Sequence, residues 1–132
     1  MKIVYVDGVF DLFHIGHINL LSNAKKLGDY LIVGIISDED VKNYKRLPII
    51  SHQHRIKMLK HCNIVDKIIE SPPLVLTKEF IEKNNIDLVI HGNDSLQEEF
   101  FKVPIELGIM RYIPYTKEIS TTKIIDKIKN NY

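Results

Sequence analysis

The sequence has no tryptophan and one cysteine in 132 residues, and its eighteen basic side chains stand against seventeen acidic ones. A single cysteine, Cys62, excludes an internal disulfide. Its setting in KMLKHCNIV reads as a helix end rather than a reactive site, which fits a reducing cytoplasm. A formal net charge of +1 gives no global basic field, so nucleic acid is not an expected partner, although a local basic patch stays open. No apolar run approaches the ~20 residues of a membrane span, and nothing in the chain suggests secretion. Repeats, linkers and low-complexity stretches are also missing. A hydrophobic content of 45% with 27% charged residues is that of a globular chain, and the length predicts one domain.

Short β-branched runs alternate with segments of helical spacing. Lys2–Val6 (KIVYV) reads as a buried strand, and Ile15–Leu27 as a helix capped at its end by Gly28. Tyr30–Ser37 (YLIVGIIS) is a second buried strand, so the first third of the chain forms a βαβ unit with parallel strands. Asp38–Lys45 is a polar segment with room for a short helix, broken by Arg46-Leu47-Pro48. Ser51 caps a helix running to about Cys62. A third strand is expected over Ile64–Glu70, a helix from Thr77 to Asn84-Asn85, and a fourth strand over Ile86–His91. Gly92–Ser95 reads as a turn, Gln97–Gly108 as a helix and Ile109–Pro114 as an edge strand. Ser120 caps a last helix whose apolar stripe is Ile124, Ile125 and Ile128. Five strands alternating with helices predict an α/β fold, a single Rossmann-like doubly wound domain with a five-stranded parallel sheet. Ligands in such sheets bind beyond the carboxyl ends of the strands. The segments richest in polar and small residues all follow strands.

One of them is Gly8–His17, GVFDLFHIGH, a crossing from strand to helix. Free N–H groups and the helix dipole at such a crossing favour an anion, most often phosphate. His14 and His17, three residues apart, share one face of a helical turn, and Gly16 leaves space between them. The same pair also suits a metal or plain helix-start polarity, although no cysteine or third histidine sits at ligand spacing. Tyr115–Thr122 (YTKEISTT) is a second anion candidate, because Ser120 and Thr121 present hydroxyls and N–H groups at a helix start. Simple capping by Ser120 is the alternative there.

HIGH, with Gly8 and Phe10-Asp11 ahead of it, resembles the HxGH signature of the nucleotidyltransferase superfamily. The match is most similar to the cytidylyltransferases that make CDP-choline, CDP-ethanolamine and CDP-glycerol. YTKEISTT resembles the RTxGIST[ST] signature of that family, with Tyr115 in place of its Arg and Glu118 in place of its Gly. Lys117 and Arg111 are candidates to replace the lost charge. Tyr44-Lys45 is similar to the segment whose Lys neutralises phosphate. Arg55 in SHQHR stands at the Arg of an ER-type motif, where an ion pair at a helix start is an equal alternative to a direct role. Asn63 replaces a basic residue, with Val65-Asp66 kept. His91–Asp94 resembles the HGxD turn.

The resemblance implies in-line displacement, in which a phosphate oxygen of the acceptor attacks the α-phosphorus of CTP and pyrophosphate leaves. His14, His17 and Lys45 are then the catalytic residues, the histidines donating to the phosphates and Lys45 offsetting their charge. The nucleotide would lie against Gly8, Val9, Phe10, Asp11, Gly16, His91, Gly92, Asp94, Thr116, Ile119, Ser120 and Thr121. Asp7, Tyr112 and Tyr115 are the acceptor-side residues, with Arg55 and Asp66 in support. Asp7 suits an ammonium, which favours phosphoethanolamine or phosphocholine, although Leu74 stands where choline enzymes have an aromatic wall. Mg²⁺ would be carried mainly by the triphosphate, with Asp11 as the one candidate ligand and no dedicated metal site. A homodimer is implied, with Arg55–Asp66 similar to a segment used at the subunit contact. Glycerol 3-phosphate as acceptor, an adenylyltransferase on the same scaffold, and a nucleotide-binding regulatory protein are the alternatives.

Overall fold

A computed structural model describes residues 1–93 and 98–132. Five parallel strands form one sheet: β1 (Ile3–Gly8), β2 (Tyr30–Ile35), β3 (Lys67–Ile69), β4 (Leu88–Gly92) and β5 (Met110–Ile113), in the order β3-β2-β1-β4-β5. The order reverses beside β1, so the crevice expected of a doubly wound sheet opens above the carboxyl ends of β1 and β4. Helices α1 (Ile15–Lys25), α2 (Asp38–Val41), α3 (His52–Lys60), α4 (Lys78–Lys83), α5 (Lys102–Glu106) and α6 (Thr121–Asn131) make the connections.

The period of two along each strand divides the core between the faces of the sheet. Val4 and Val6 join Leu21 and Ala24 of α1 and Ile56 and Leu59 of α3 on one side. Tyr5, Ile32 and Val89 meet Leu76, Ile81 and Phe101 on the other. Both faces of β1 are therefore buried, which is why KIVYV reads as an unbroken apolar run rather than an alternation.

Three sequence expectations are corrected. Gly28 is not a left-handed helix cap: α1 ends on Lys26 in right-handed conformation, and Gly28 has no positive φ. Its smallness serves a close approach, because a Cβ there would lie 2.6 Å from Val4 Cγ2 and 2.8 Å from the carbonyl oxygen of Lys2. Lys2 O also accepts the N–H groups of Asp29 and Tyr30, so that backbone has no freedom to retreat. Gly28→Ala is accordingly expected to destabilise the fold by about 2 kcal/mol, read as a lower denaturation midpoint with an unchanged m-value.

The third strand is shorter than Ile64–Glu70. The Asp66 carboxylate accepts the N–H of Leu31 at 2.8 Å while its own N–H donates to Leu31 O, so side chain and backbone together close off the ladder before Lys67. The helix expected over 97–108 is broken, and its first residue lies outside the described residues. A 3₁₀ turn at Glu98–Phe100 precedes α5. Pro104 has no N–H for Phe100 O, and that carbonyl instead accepts from Leu76 N–H at 3.0 Å.

Candidate active site

A cleft of about 300 Å³ lies over the crevice between β1 and β4. Its floor is Asp7 to Asp11, the end of β1 and the loop beyond it. His14, Gly16 and His17 come from the start of α1, Lys45 from the segment after α2, and His91 and Gly92 from β4. Tyr115, Thr116, Ile119, Ser120 and Thr121 close it from the approach to α6. Segments far apart in sequence meet here because each follows a strand of a parallel sheet.

His14 and His17 form a reciprocal cap. Gly16 N–H donates to His14 Nδ1 at 3.0 Å, and His14 N–H donates to His17 Nδ1 at 3.1 Å. Accepting at Nδ1 places the proton of each neutral ring on Nε2. The rings stack with centroids 3.9 Å apart, and Phe13 and Phe10 cover His17 at 5.4 and 5.5 Å. Burial lowers the pKa of His14. Burial and the neighbouring His14, with Lys45 adding to them against the opposing pull of Asp11, lower that of His17 to about 3. The unliganded pair is thus held neutral, as two aligned N–H donors. Gly16 is required for this arrangement, since a Cβ would lie 2.7 Å from His14 Cε1.

The start of α1 differs from the sequence expectation in its backbone. Gly16 N–H is taken by His14 Nδ1, and the N–H groups of His17 and Ile18 both go to His14 O. The imidazoles, rather than a row of free amides, are the donors on this side. At α6 the Ser120 hydroxyl caps Lys123 N–H at 3.1 Å, as the capping alternative has it. Thr121 and Thr122 N–H have no partner among the described residues, and they remain available to an anion.

Asp11 is tied into the frame of the cleft. Its carboxylate accepts N–H groups from Ile49 and Ile50 at 2.8 Å each and from Leu12 at 3.1 Å. Those bonds use three of the carboxylate's acceptor sites, two on Oδ1 and one on Oδ2, so the structure gives Asp11 an anchoring role. It ties the segment carrying Lys45 down onto the loop after β1. Among the described residues no group of three or more His, Cys, Asp or Glu side chains is arranged for a metal. The loop itself is strained, with Phe10 at φ 56° and Leu12 at φ 49°; such conformations cost of order 1–3 kcal/mol each and persist only where neighbours enforce them.

Arg55 is one of those enforcers. Its side chain is buried, donating from Nη1 to Val9 O at 2.7 Å and Ile36 O at 2.9 Å, from Nε to Ile50 O at 3.0 Å, and from Nη2 to Asp38 Oδ1 at 2.5 Å. With four of its five N–H donors spent on the frame, Arg55 holds the cleft from beneath. Asp66 is not in the cleft: it ion-pairs with Lys25 at the opposite end of β2. Burial would raise its pKa, but the bonds from Lys25 and Leu31 N–H outweigh this and lower it.

Asp7 is 7% exposed and accepts from the Tyr5 hydroxyl at 3.1 Å. Burial pushes its pKa up to about 7 against the opposing effect of that hydrogen bond. Tyr5 was not legible as a site residue. The signal was Gly34, paired with Asp7 across the ladder, where a Cβ would lie 2.4 Å from the Tyr5 hydroxyl oxygen. Tyr115 lines the cleft, whereas Tyr112 sits on the edge strand β5 and is not among the lining residues. Asp94 lies outside the described residues. Thr122, the end of the second anion candidate, lines the cleft, and so does Arg46, which the sequence does not mark as a site residue. In the sequence Arg46 is part of the helix break Arg46-Leu47-Pro48 and nothing more.

A family model described as cytidylyltransferase-like matches residues 5–127. The chain belongs to this family. Within it, the chain is 37% identical to the ethanolamine-phosphate cytidylyltransferase of Dictyostelium discoideum, an alignment covering 98% of this chain and 38% of that protein. It is also 37% identical to choline-phosphate cytidylyltransferase A of Homo sapiens, over 98% of this chain and 37% of that protein. The cytidylyltransferase-like chain thus spans about two fifths of the length of these relatives. Among solved structures, the lipopolysaccharide core biosynthesis protein of Thermoplasma volcanium GSS1 is similar at 29% identity and a TM-score of 0.69, over 89% of this chain and 98% of that one. The pantoate-beta-alanine ligase of Francisella tularensis shares the fold at 17% identity and a TM-score of 0.56, over 97% of this chain and 69% of that one.

Proposed function

We propose that this cytidylyltransferase-like protein transfers CMP from CTP to an amine-bearing phosphoalcohol, phosphoethanolamine or phosphocholine, and releases pyrophosphate. The observation that carries this reading is a buried carboxylate, Asp7, on the floor of a cleft rimmed by two neutral histidines that present N–H donors. Asp7 suits the ammonium of the acceptor. The acceptor phosphate attacks the α-phosphorus in line, and charge developing on the α-phosphate and on the bridging oxygen is met by Nε2–H of His14 and His17. Lys45 offsets phosphate charge, and Thr121 and Thr122 N–H receive the far end of the triphosphate. Mg²⁺ enters with the nucleotide. Support for CTP over ATP comes from the names of the relatives, not from a residue in the cleft.

A homodimer in the cytoplasm belongs to the same reading. The dimer's support is a groove lined by Phe10, Leu12, Phe13, Ile50, Met58 and Ile124 together with His54, Arg55 and Lys57, with Met58 54% exposed. Among the described residues no helix is long and apolar enough to cross a membrane.

The assay is pyrophosphate release with CTP or ATP against phosphoethanolamine, phosphocholine and glycerol 3-phosphate. Turnover is expected with CTP and an amine-bearing acceptor. Tight CTP binding with no turnover on any acceptor would overturn the transferase reading in favour of a regulatory nucleotide-binding protein.

A further inference from the structure

The cleft is short of positive charge on one wall. Among the described residues, Lys45 and Arg46 are the two lysine or arginine side chains that line it. The approach to α6 contributes neither: Tyr115 is uncharged, and Lys117 and Lys123 are not lining residues, with Lys123 Nζ turned onto Lys117 O. Arg111 folds back on its own strand, donating to Gly108 O at 3.0 Å and Met110 O at 2.8 Å. A nucleoside triphosphate keeps net negative charge even with Mg²⁺ bound, and the free amides of Thr121 and Thr122 carry only partial charge.

Arg46 reaches this wall from the opposite side. Its Nη2 lies 3.4 Å from Thr122 Oγ1, and it has no carboxylate partner among the described residues. The segment carrying it is fixed at both ends. Lys45 N–H donates to Val41 O at 3.0 Å on one side, and Asp11 and Arg55 hold Ile49 and Ile50 on the other. A guanidinium presents several donors in one plane and suits phosphate oxygens better than a hydroxyl.

We propose that Arg46 binds the terminal phosphates of the nucleoside triphosphate, bridging the segment after α2 to the start of α6 and supplying the charge that Tyr115 does not. This rests on the nucleotidyltransferase reading and names the group that grips the leaving pyrophosphate. Thr122 Oγ1 marks the resting position of the guanidinium, and the phosphates replace that weak contact with charge-assisted ones.

The test is calorimetric titration of the intact chain with CTP, CMP and inorganic tripolyphosphate in the presence of Mg²⁺. Arg46→Ala is expected to weaken CTP and tripolyphosphate about 10- to 100-fold while leaving CMP within about threefold. Arg46 is exposed, so the melting temperature should not move. Adding Tyr115→Arg to Arg46→Ala should recover at least about tenfold of the lost CTP affinity, and Arg46→Lys should fall between the wild type and the alanine variant. CTP affinity unchanged in Arg46→Ala, or CTP and CMP weakened equally, would overturn the assignment. CTP affinity that depends on Arg46 without pyrophosphate release on any acceptor would uphold it while sinking the transferase reading. A wild-type chain that binds neither CTP nor tripolyphosphate would sink both.

Discussion

His14→Asn is expected to lower pyrophosphate release by about a hundredfold to a thousandfold while leaving the melting temperature nearly unchanged. The asparagine Oδ1 can take over the Nδ1 role of accepting Gly16 N–H at the helix cap, and asparagine is a favoured capping residue. It cannot reach the phosphate with a donor at the position of Nε2. The two functions of one ring are thereby separated. His14→Ala should lose both, adding a cap loss of about 1 kcal/mol to the same fall in rate. Near-full turnover in His14→Asn would show that the ring serves the fold and not the chemistry. The neutral state of the pair also has a sign in stability. The folded pKa of His17, about 3, is below its unfolded value, so its contribution is full above about pH 6.5 and is lost as the pH falls toward 3. Acid should therefore weaken this protein through the site as well as through its carboxylates.

Asp7→Asn has the second large effect, and it runs in opposite directions for function and for stability. Removing the carboxylate is expected to raise KM for phosphoethanolamine or phosphocholine by about a hundredfold, with a much smaller change in KM for CTP. In the wild type, kcat/KM for an amine-bearing acceptor should climb with pH through about 7, where Asp7 ionises in the free protein. The folded pKa of Asp7 lies above its unfolded value. Its contribution to stability is therefore fully present below about pH 4 and is lost as the pH rises through 7. Asp7→Asn should melt higher than the wild type at pH 8, and the gap should close toward pH 4. A variant less stable at pH 8, or one with an unchanged KM for the acceptor, would remove Asp7 from the acceptor site.

A buried carboxylate kept at such a disadvantage is a local rule broken at a candidate site, and the sequence marks its position well. Asp7 stands between a fully apolar strand and a glycine, which is where a parallel strand delivers its residues to a ligand. His14 and His17 were legible for a similar reason, because helical spacing alone puts them on one face. What their spacing did not reveal is that each ring closes a backbone hydrogen bond of the other's turn. That choice of tautomer depends on the rotamers, which packing by Phe10, Phe13 and Gly16 selects.

The anchoring role of Asp11 and the placement of Arg46 are not legible in the sequence because their partners are distant along the chain. A carboxylate beside a phosphate loop fits a metal ligand as well as an anchor, and only the arrival of Ile49 and Ile50 N–H reveals the anchoring role. Arg46 sits in a stretch whose proline announces a break and nothing more. Its relevance arises when α6 folds back across the sheet and brings Thr122 within reach. Gly28 was misassigned on the same account: a glycine after a helix fits a cap locally, whereas the constraint on it comes from Lys2 and Val4 of a neighbouring strand.

By itself, then, the sequence determined the alternation of strands and helices, the parallel sheet, and the strand ends from which the cleft is built. Those follow from hydrophobic periodicity and turn chemistry, which are properties of neighbours along the chain. The tertiary structure alone decided which polar groups were already spent and which remained to meet a ligand. Hydrogen bonds saturate, and their partners in a doubly wound sheet lie tens of residues away, as Asp11 with Ile50 and Arg46 with Thr122 do.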